Sequence, residues 1–445
     1  MGRMSQARAL SVWANGQRIG SWTIPSRGEV EFLYDAVWMN SPGGRPLSLS
    51  LPYTGRQALR GERVRNFFDN LLPDSEPIRK RLATRFKTGS TEAFDLLQAI
   101  GRDCVGAVQL LGVDESPTDI DRIIGTPMTD EDIERLLVQT TRTGPLAQPG
   151  DDEDLRISLA GAQEKTALLW HDGRWMRPQG STPTTHILKL PLGLVGHARA
   201  DFSTSVENEW LCMHLLAEFG LPVASTELLT FGSQKVLSVK RFDRQLHSSG
   251  IWLMRLPQED FCQAKGVASH LKYESDGGPG LADLAGVLGG SVQPEQDLAV
   301  LLKSQILFWM LAAPDGHAKN FSLRVLPEGR YALTPLYDVM SIWPVEGHSA
   351  NQFSYFKAKL AMALLGKRKH YHFKDVQRRH FNSTAAKCFQ RPDAEDLIEQ
   401  VLERTPQAIG NVAAKLPAGF PARVAESIFE GLRKAAERLA RMPKA

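Results

Sequence analysis

The chain opens with two short runs in which apolar and polar residues alternate, one on each side of Asn15-Gly16. An Asn-Gly pair between β-prone runs is the strongest local signal for a tight hairpin, because both residues adopt positive φ readily. Residues 46–52 alternate in the same manner, as a half-buried strand does. The pattern therefore predicts a small sheet at the start of the chain.

Helical spacing replaces this alternation from Val64, where apolar residues recur every three or four positions. Two further helices are predicted over 75–86 and 91–100, and a strand is predicted over 105–113. We therefore predict that residues 1–115 form an N-terminal module in which helices and a sheet are mixed.

Residues 116–154 are richer in Pro, Asp and Thr than their neighbours and contain one predicted helix over 130–138, which indicates a connector. In residues 155–256 several predicted strands surround one long predicted helix over 205–219. Helical periodicity dominates in residues 257–445. The pattern therefore predicts an α+β protein whose last part is mostly helical.

Composition narrows the class of protein. The chain has 445 residues, of which 42% are hydrophobic, so that two or three domains with sizeable cores are expected. A formal net charge of +3 is small for this length, so any basic surface must be local. Its four cysteines lie far apart without a CxxC pair, which favours a reducing compartment and argues against a zinc site.

The chain lacks the signals that direct a protein to a membrane. Its first residues contain no apolar core of a signal peptide, and no stretch approaches eighteen uninterrupted apolar residues. We therefore expect a soluble, cytoplasmic protein with no membrane partner.

The clearest candidate chemistry follows an apolar, helix-like run that ends near residue 313. Asp315 and Asn320 lie five positions apart in a polar segment, and Asp338 follows after a hairpin-like passage. A carboxylate and a carboxamide in one loop could address a substrate hydroxyl and a metal ion together. The order Asp, Asn, Asp matches the catalytic and metal-holding residues of protein kinases.

Two upstream features could complete such a site. A turn of small residues, 158–162, would let backbone N–H groups approach phosphate oxygens, although such a turn alone is more often only a hairpin between two strands. Lys189 lies among apolar residues of a predicted strand, which suits a phosphate-binding lysine but also a solvent-exposed edge strand. Glu207 and Glu209 are both candidates for a carboxylate facing that lysine, and spacing does not separate them.

The densest basic run lies near the end of the chain. Residues 367–379 contain six Lys or Arg and one Asp. The run predicts either a solvated helix face or a surface that contacts a phosphate backbone.

Six segments, in this order, resemble the HipA family of bacterial serine/threonine protein kinases, the toxins of HipA–HipB toxin–antitoxin modules. They are RISLAGAQEK, PTTHILKLP, RLPQEDFCQ, KYESDGGPG, DGHAKNFS and TPLYDV. The resemblance covers nearly the whole chain, including PLSLSLP and NFFDNLLPDS in the N-terminal module. It implies an α+β, kinase-like fold of two lobes: a sheet-containing N-terminal lobe, with its core in residues 155–256, and a mostly helical C-terminal lobe, residues 257–445.

The resemblance also implies residue roles. Asp315 would be the catalytic carboxylate, Asn320 and Asp338 would hold Mg²⁺, and Ser158 would be autophosphorylated, which would switch the enzyme off. Lys189 would contact the ATP phosphates, 160–165 would cover them, and 240–242 would offer backbone groups to adenine. The residues assigned to binding of ATP are Ala160, Gly161, Ala162, Gln163, Glu164, Lys165, Lys189, Lys240, Arg241, Phe242, His317, Asn320, Tyr337 and Asp338.

Partners follow from the resemblance as well. Family members phosphorylate an aminoacyl-tRNA synthetase, typically the glutamyl enzyme, which halts translation and promotes dormancy and persistence. They bind a helix-turn-helix antitoxin, HipB, and join it on operator DNA as a corepressor, which assigns DNA contacts to Lys387 and Arg391. Two alternatives stay open: a non-catalytic DNA-binding corepressor, and a small-molecule kinase of related fold.

Overall fold

The computed structural model of this chain describes residues 7–55, 57–141, 157–195, 199–349 and 351–444. The N-terminal part folds into helices and an antiparallel sheet, with strands in the order β4-β3-β2-β1-β5. Its elements are β1 (Arg8–Ala14), β2 (Gln17–Ile24), β3 (Glu31–Tyr34), α1 (Ala36–Met39), β4 (Leu59–Arg60), α2 (Glu62–Asp69), α3 (Glu76–Arg85), α4 (Ala93–Ile100) and β5 (Gln109–Gly112).

The first hairpin forms as predicted. Asn15 has φ 47° and Gly16 has φ 79°, the left-handed pair that a two-residue hairpin turn requires. The helices cover one face of the sheet with aromatic side chains. Trp22 of β2 stacks on Phe68 of α2, with ring centroids 4.1 Å apart. This packing gives the N-terminal part its own hydrophobic core.

The prediction of a strand over residues 46–52 is wrong. Within this segment only Ser48 and Leu51 form an isolated bridge. Ser48 and Ser50 are buried, and the Ser50 hydroxyl donates a hydrogen bond to the backbone oxygen of Gln263 at 2.6 Å. The small polar residues of the alternating pattern therefore face the C-terminal part of the protein and not solvent.

Glu259 is buried where residues 48–50 contact the C-terminal part, and its burial should make the stability of the protein depend on pH. It accepts hydrogen bonds from the Ser48 hydroxyl and, at 2.9 Å, from the Leu49 N–H. Burial raises the pKa of Glu259 to about 8. Between about pH 4.5 and 8 the folded state therefore holds a proton that the unfolded state has lost, so stability falls as pH rises through this window.

Glu259→Gln should remove this slope, because the amide does not titrate. Denaturant unfolding at several pH values should show the wild type losing up to about 1.4 kcal/mol per pH unit relative to the variant. A constant difference between the two proteins from pH 5 to pH 8 would contradict the assignment.

The middle part of the chain forms a second sheet, with strands in the order β12-β13-β9-β7-β8-β6. The elements of this part are β6 (Gly125–Pro127), α5 (Asp130–Thr141), β7 (Lys165–His171), β8 (Arg174–Pro178), β9 (His186–Lys189), β10 (Gly193–Val195), β11 (Ala200–Phe202), α6 (Ser205–Glu218), β12 (Thr226–Phe231), β13 (Gln234–Lys240), β14 (Arg244–Leu246) and β15 (Leu253–Arg255). β6 and α5 fall in the range expected to be a connector, yet both pack onto this sheet.

The two faces of this sheet carry different partners. Leu188 of β9 packs in a cluster with Ile133 and Leu136 of α5. Successive residues of a strand point to opposite faces, so Lys189 points to the other face, where α6 lies. β9 is a central strand, and Lys189 is only 6% exposed. The edge-strand alternative for Lys189 is therefore wrong.

The turn of small residues does not connect two paired strands, so the plain-hairpin alternative is wrong. Residues 155 and 156 lie outside the described residues. Ile157 forms a parallel bridge with Asp103 of the N-terminal part, whereas β7 pairs with β9 and β8. The turn therefore joins two parts of the protein and does not close a hairpin.

The last part of the chain is mostly helical, as predicted, with a large core around the buried α9. Its elements are β16 (Gln258–Asp260), α7 (Phe261–Lys265), α8 (Leu281–Leu288), α9 (Pro294–Met310), β17 (Ser322–Val325), β18 (Tyr331–Leu333), β19 (Lys359–Leu365), β20 (Lys369–His372), α10 (Arg378–Cys388), α11 (Glu395–Ala413) and α12 (Ala422–Arg441). The β17–β18 hairpin confirms the predicted passage between Asn320 and Asp338.

The basic run of residues 367–379 is not one helix face. Its centre forms β20, which pairs with β19, and α10 begins only at Arg378. In the described ranges, no helix is long and apolar enough to span a lipid bilayer.

Candidate active site

Lys189 is the centre of a buried ion cluster. Its Nζ donates hydrogen bonds to Glu209 Oε1 at 2.7 Å, to Glu209 Oε2 at 2.9 Å and to Asp338 Oδ1 at 2.7 Å. Glu207, the other candidate, pairs instead with Lys235 of β13 at 2.6 Å. The structure thus selects Glu209 and brings the strand lysine, the helix glutamate and the second aspartate together.

Burial and charge act against each other in this cluster. Burial alone would lower the pKa of Lys189 and raise that of Asp338, but their mutual attraction reverses both shifts. Glu209 keeps a raised pKa of about 7, because burial outweighs the charge of Lys189. Asp338 has φ 63°, an uncommon value for a residue other than glycine, and such strain is typical of functional sites.

The loop after α9 carries the other two predicted residues. The Asn320 side-chain amide donates to the backbone oxygen of Asp315 at 2.6 Å and lies 3.5 Å from that of Asp338. Asn320 therefore ties the two aspartate segments together. Because its Nδ2 is used in this way, its Oδ1 remains as an acceptor or metal ligand.

The Asp315 carboxylate is partly open to solvent, with 45% of its side chain exposed. The region around Asp315, Asn320, Asp338 and Lys189 is called the cleft below. The Tyr273 hydroxyl donates a hydrogen bond to Asp315 Oδ1, and His317 Nε2 lies 3.8 Å from the same oxygen. Tyr273 comes from the loop before α8, where no periodic pattern singled it out. The sequence signal that contains it is the segment KYESDGGPG.

His317 and Tyr337 lie beside the two aspartates, as the resemblance implies. Burial lowers the pKa of His317, so its ring is neutral near pH 7, and within the described residues its Nδ1 has no hydrogen-bond partner. The Tyr337 hydroxyl donates to the backbone oxygen of Lys319 at 2.8 Å. Burial raises the pKa of Tyr337, so its hydroxyl stays protonated and acts as a structural donor.

The small-residue turn lies against this cluster. Gly161 has φ 102°, and a Cβ added to it would come within 2.6 Å of Lys165 Nζ. The backbone conformation therefore favours glycine, and any larger residue would also displace the Lys165 ammonium. Lys165 pairs across the sheet with Lys189. Burial and the charge of Lys189 lower the pKa of Lys165 to about 8.

The remaining residues of the turn hold it in place. Gln163 Nε2 donates to the backbone oxygen of Leu190 at 2.6 Å, and Glu164 forms an ion pair with Arg81. Ala160 is partly buried and Ala162 is exposed. Side chains of the turn therefore anchor it to the end of β9 and to α3.

Segment 240–242, which the resemblance assigns to adenine, is held by backbone hydrogen bonds of its first two residues. The Lys240 N–H donates to Ser225 O, and the Arg241 N–H donates to Thr185 O, both at 2.9 Å. In the described part of the chain, the Phe242 N–H has no hydrogen-bond partner. Of the three predicted residues, Phe242 is therefore the one with a free backbone donor for a base.

A buried network fixes this segment to the N-terminal part, and sequence reasoning missed it. It consists of two aspartates and three arginines, all less than a tenth exposed: Asp103, Asp243, Arg241, Arg244 and Arg255. Asp103 accepts from Arg244 at 2.9 Å and from Arg255 at 3.2 Å. The spacing of these residues in the sequence gives no signal of the contact.

Ser158 is fully buried next to the turn. Its hydroxyl donates to the backbone oxygen of Leu71 at 2.7 Å, and its N–H donates to Asp103 O at 3.1 Å. Both acceptors belong to the N-terminal part. The serine assigned to autophosphorylation is thus inaccessible while the turn is docked.

Lys387 and Arg391 do not contact any of these residues. Lys387 lies in the last turn of α10 and donates to Gly366 O, and Arg391 forms an ion pair with Asp396. Both belong to a separate surface near the basic run. The predicted site residues thus divide into one cleft and one remote surface.

The cleft fits a nucleotide and a hard divalent cation. Lys165 and Lys189 supply positive charge for phosphate oxygens, and Asn320 with Asp338 offers the oxygen ligands that Mg²⁺ prefers. Among the residues that the structure describes, no three His, Cys, Asp or Glu side chains cluster to hold a metal alone. This donor set suits an ion that takes its remaining ligands from phosphates and water.

Comparison with known proteins places the chain in a family. Residues 10–111 match the family model of the HipA N-terminal domain, and residues 157–409 match that of the HipA-like C-terminal domain. The Y4mE protein of Sinorhizobium fredii, which is named provisionally as a kinase, is 37% identical over 340 residues, covering 75% of this chain and 77% of that protein.

A second relative, from Shewanella oneidensis, is similar to this chain in sequence, and a HipA structure from the same organism is similar in fold. The serine/threonine-protein kinase toxin HipA of Shewanella oneidensis is 28% identical over 347 residues, covering 74% of this chain and 72% of that protein. The solved structure of HipA from Shewanella oneidensis, in a complex with HipB and operator DNA, matches with a TM-score of 0.77. It is 23% identical and covers 97% of each chain, which confirms the two-lobed, kinase-like α+β fold. The chain belongs to the HipA family.

Proposed function

We propose that this protein is an ATP- and Mg²⁺-dependent serine/threonine protein kinase. The observation that carries the proposal is the joining of Lys189, Glu209, Asp338, Asn320 and Asp315 in one cleft. This is the set of groups that phosphoryl transfer uses in protein kinases. The relatives named as kinases support the same activity.

Each side chain has a distinct task in this proposal. Glu209 holds the buried Lys189 ammonium in place beside Asp338, where it would bind phosphate oxygens. Lys165, with a pKa of about 8, is mostly protonated at pH 7, and a bound phosphate favours the charged form further. Asp338 and Asn320 would hold Mg²⁺, which neutralises charge that develops on the phosphates.

Asp315 would orient the acceptor hydroxyl and accept its proton. Its carboxylate is open to the cleft, and the hydrogen bond from the Tyr273 hydroxyl fixes its orientation. A substrate hydroxyl would have to exchange with Tyr273 as a donor to Asp315. A serine or threonine hydroxyl of a protein could reach a carboxylate with this exposure, and the relative named as a serine/threonine-protein kinase supports a protein substrate.

The test is incubation of the purified protein with Mg²⁺ and ATP labelled at the γ-phosphate. We expect transfer of label to protein, and mass spectrometry should locate part of it on Ser158. Transfer to a small molecule instead of protein would indicate a small-molecule kinase. No label on this protein or on any protein of a bacterial lysate would leave only a non-catalytic corepressor.

Ser158 would serve as the site of self-inhibition. Phosphorylation adds about 1.5 to 2 negative charges and three oxygens. The buried position next to Leu71 has no room for this group, so the turn must leave its place when Ser158 is modified. A displaced turn no longer covers the phosphates of ATP, and the kinase is off.

We further propose the biological partners implied by the family. The substrate would be an aminoacyl-tRNA synthetase, and phosphorylation of it would make the protein a toxin that slows translation. The solved complex of the Shewanella protein with HipB and operator DNA supports a HipB-like antitoxin and operator DNA as partners. Both partners would be met in the cytoplasm.

Lys387→Ala should separate DNA binding from kinase activity. Lys387 lies on the surface remote from the cleft, so its loss should weaken operator binding of the antitoxin complex and reduce the salt slope by about one unit. Titration of operator DNA at several salt concentrations measures this. Equal loss of phosphorylation by the variant would contradict two separate surfaces.

A further inference from the structure

The segment of residues 70–74, called here the bridging segment, follows α2 and contacts the small-residue turn. Leu71 O accepts the hydrogen bond of the Ser158 hydroxyl at 2.7 Å. Pro73 forms a parallel bridge with Gly161, and the Asp74 N–H donates to Gly161 O at 3.1 Å. The N-terminal part thus holds the turn from outside the kinase-like lobe.

The same segment contacts the loop that carries Asp315 and Asn320. Lys319 Nζ donates to Asn70 Oδ1 at 2.8 Å and lies 3.1 Å from Asp74 Oδ1. The other Asp74 oxygen is 3.0 Å from Lys272 Nζ. Lys319 is only 6% exposed, so it points inward and does not reach the cleft surface.

Where the bridging segment contacts the loop 315–320, buried lysine and aspartate side chains neutralise each other. Lys319 lies between Asp74 and Asp260, the latter at 3.6 Å, and Lys272 provides a second cation. A buried ammonium is stable only with such partners. Removal of the Asp74 charge leaves Lys319 with weaker partners, and the loop that contains it must then adjust.

This adjustment would reach the reacting groups directly. Lys319 precedes Asn320, whose side chain holds the backbone of Asp315. The Lys319 carbonyl also accepts the hydrogen bond of Tyr337, next to Asp338. A displacement of Lys319 therefore moves all three proposed catalytic and metal-holding residues relative to the turn.

We propose that the bridging segment is part of the active site, where it fixes the small-residue turn against the loop 315–320, and that Asp74 is a positioning residue acting through Lys319. This role rests on the proposed kinase activity. It assigns to the N-terminal domain a function in catalysis, although that domain contributes no group to the reaction.

The test compares Asp74→Asn with the wild type in the full-length protein. Because the Asp74 N–H still holds Gly161 in this variant, nucleotide binding should change little, with KM for ATP within about threefold of the wild type. Misplacement of the loop should lower kcat by about 10- to 100-fold. Hydrogen exchange of amides 315–320 should become about 10-fold faster.

Two further variants make the result specific. Glu76→Gln removes an exposed carboxylate two positions away that forms a surface pair with Lys80, so it should match the wild type in every readout. Asp74→Glu keeps the charge but shifts it by one methylene, so it should recover part of kcat. If Asp74→Asn does not fold, Asp74→Glu against the wild type provides the same comparison.

Wild-type kcat and wild-type exchange in a folded Asp74→Asn protein would overturn the proposal. A fall in kcat with unchanged exchange at 315–320 would also overturn it, because Asp74 would then not act through the loop. If the wild type transfers no phosphate, the proposed function fails, whereas the exchange measurement still decides whether the bridging segment holds the loop.

Discussion

Replacement of Asp315 by Asn is expected to lower kcat for phosphoryl transfer by about 10²- to 10⁴-fold, the usual effect of losing a general base. The amide keeps the shape of the side chain and can still accept a hydrogen bond from Tyr273. It cannot take the proton of a substrate hydroxyl. Because 45% of the Asp315 side chain is exposed, the folded state should be unaffected.

Steady-state transfer of labelled phosphate measures kcat, and calorimetry measures ATP affinity. We expect ATP affinity to stay near that of the wild type, since the proposed phosphate contacts come from Lys165 and Lys189. Asp276→Asn is a suitable control, because this carboxylate is exposed in the same cleft-side loop as Tyr273. Retention of full activity in Asp315→Asn would remove this residue from the reaction.

Replacement of Lys189 by Met should destabilise the protein by about 3 to 5 kcal/mol at neutral pH, as expected when one partner of a buried ion cluster is removed. Glu209 and Asp338 would then face each other without their shared cation. The same change should abolish the binding of phosphate oxygens that we propose for Lys189. The variant should therefore lose both stability and activity.

The loss of stability should depend on pH with a definite sign. Burial already raises the pKa of Glu209 to about 7, and without Lys189 it rises further. The folded variant then binds more protons than the unfolded chain above about pH 4.5, so its stability increases as pH falls. Guanidinium unfolding at pH 7.5 and pH 5.5 should show a smaller deficit at the lower pH.

Lys235→Met is the matched control, because Lys235 pairs with Glu207 on the same helix at 2.6 Å but is half exposed. Glu207 is buried, but the Lys235 side chain is 47% exposed, so water can replace part of this ion pair. Lys235→Met should therefore cost less stability than Lys189→Met. Equal losses in the two variants would show that burial of the Lys189 cluster does not matter for stability.

Local patterns predicted many of the elements correctly. The Asn15-Gly16 hairpin, the strand that carries Lys189 and the hairpin β17–β18 all depend on residues close together in sequence. Turn residues and apolar periodicity report directly on such local conformations. The order of the six family segments also predicted the fold class and the family.

Other predictions failed where the partner of a residue lies far away in sequence. Ser48 and Ser50 alternate with leucines as a surface strand does, yet they are buried because Glu259 and Gln263, more than two hundred residues later, accept their hydrogen bonds. Ile157, just before the small-residue turn, pairs with Asp103 and not with β7. Its partner, too, is distant in sequence.

Glu207 and Glu209 show why the active site needed the tertiary structure. Both are less than a tenth exposed, so α6 has no polar face whose orientation a periodic pattern could predict. Packing of α6 between the sheet and the C-terminal helices decides that Glu209 meets Lys189.

By itself the sequence determined the local elements, the family and the identity of Lys189, Asp315, Asn320 and Asp338 as candidate residues. Only the tertiary structure decided which groups hold these residues in place: Glu209, Tyr273 and the contact between Asp74 and Lys319. Chemical type and local spacing are properties of the sequence, whereas a buried charge takes its partners from whatever elements the folded chain packs around it.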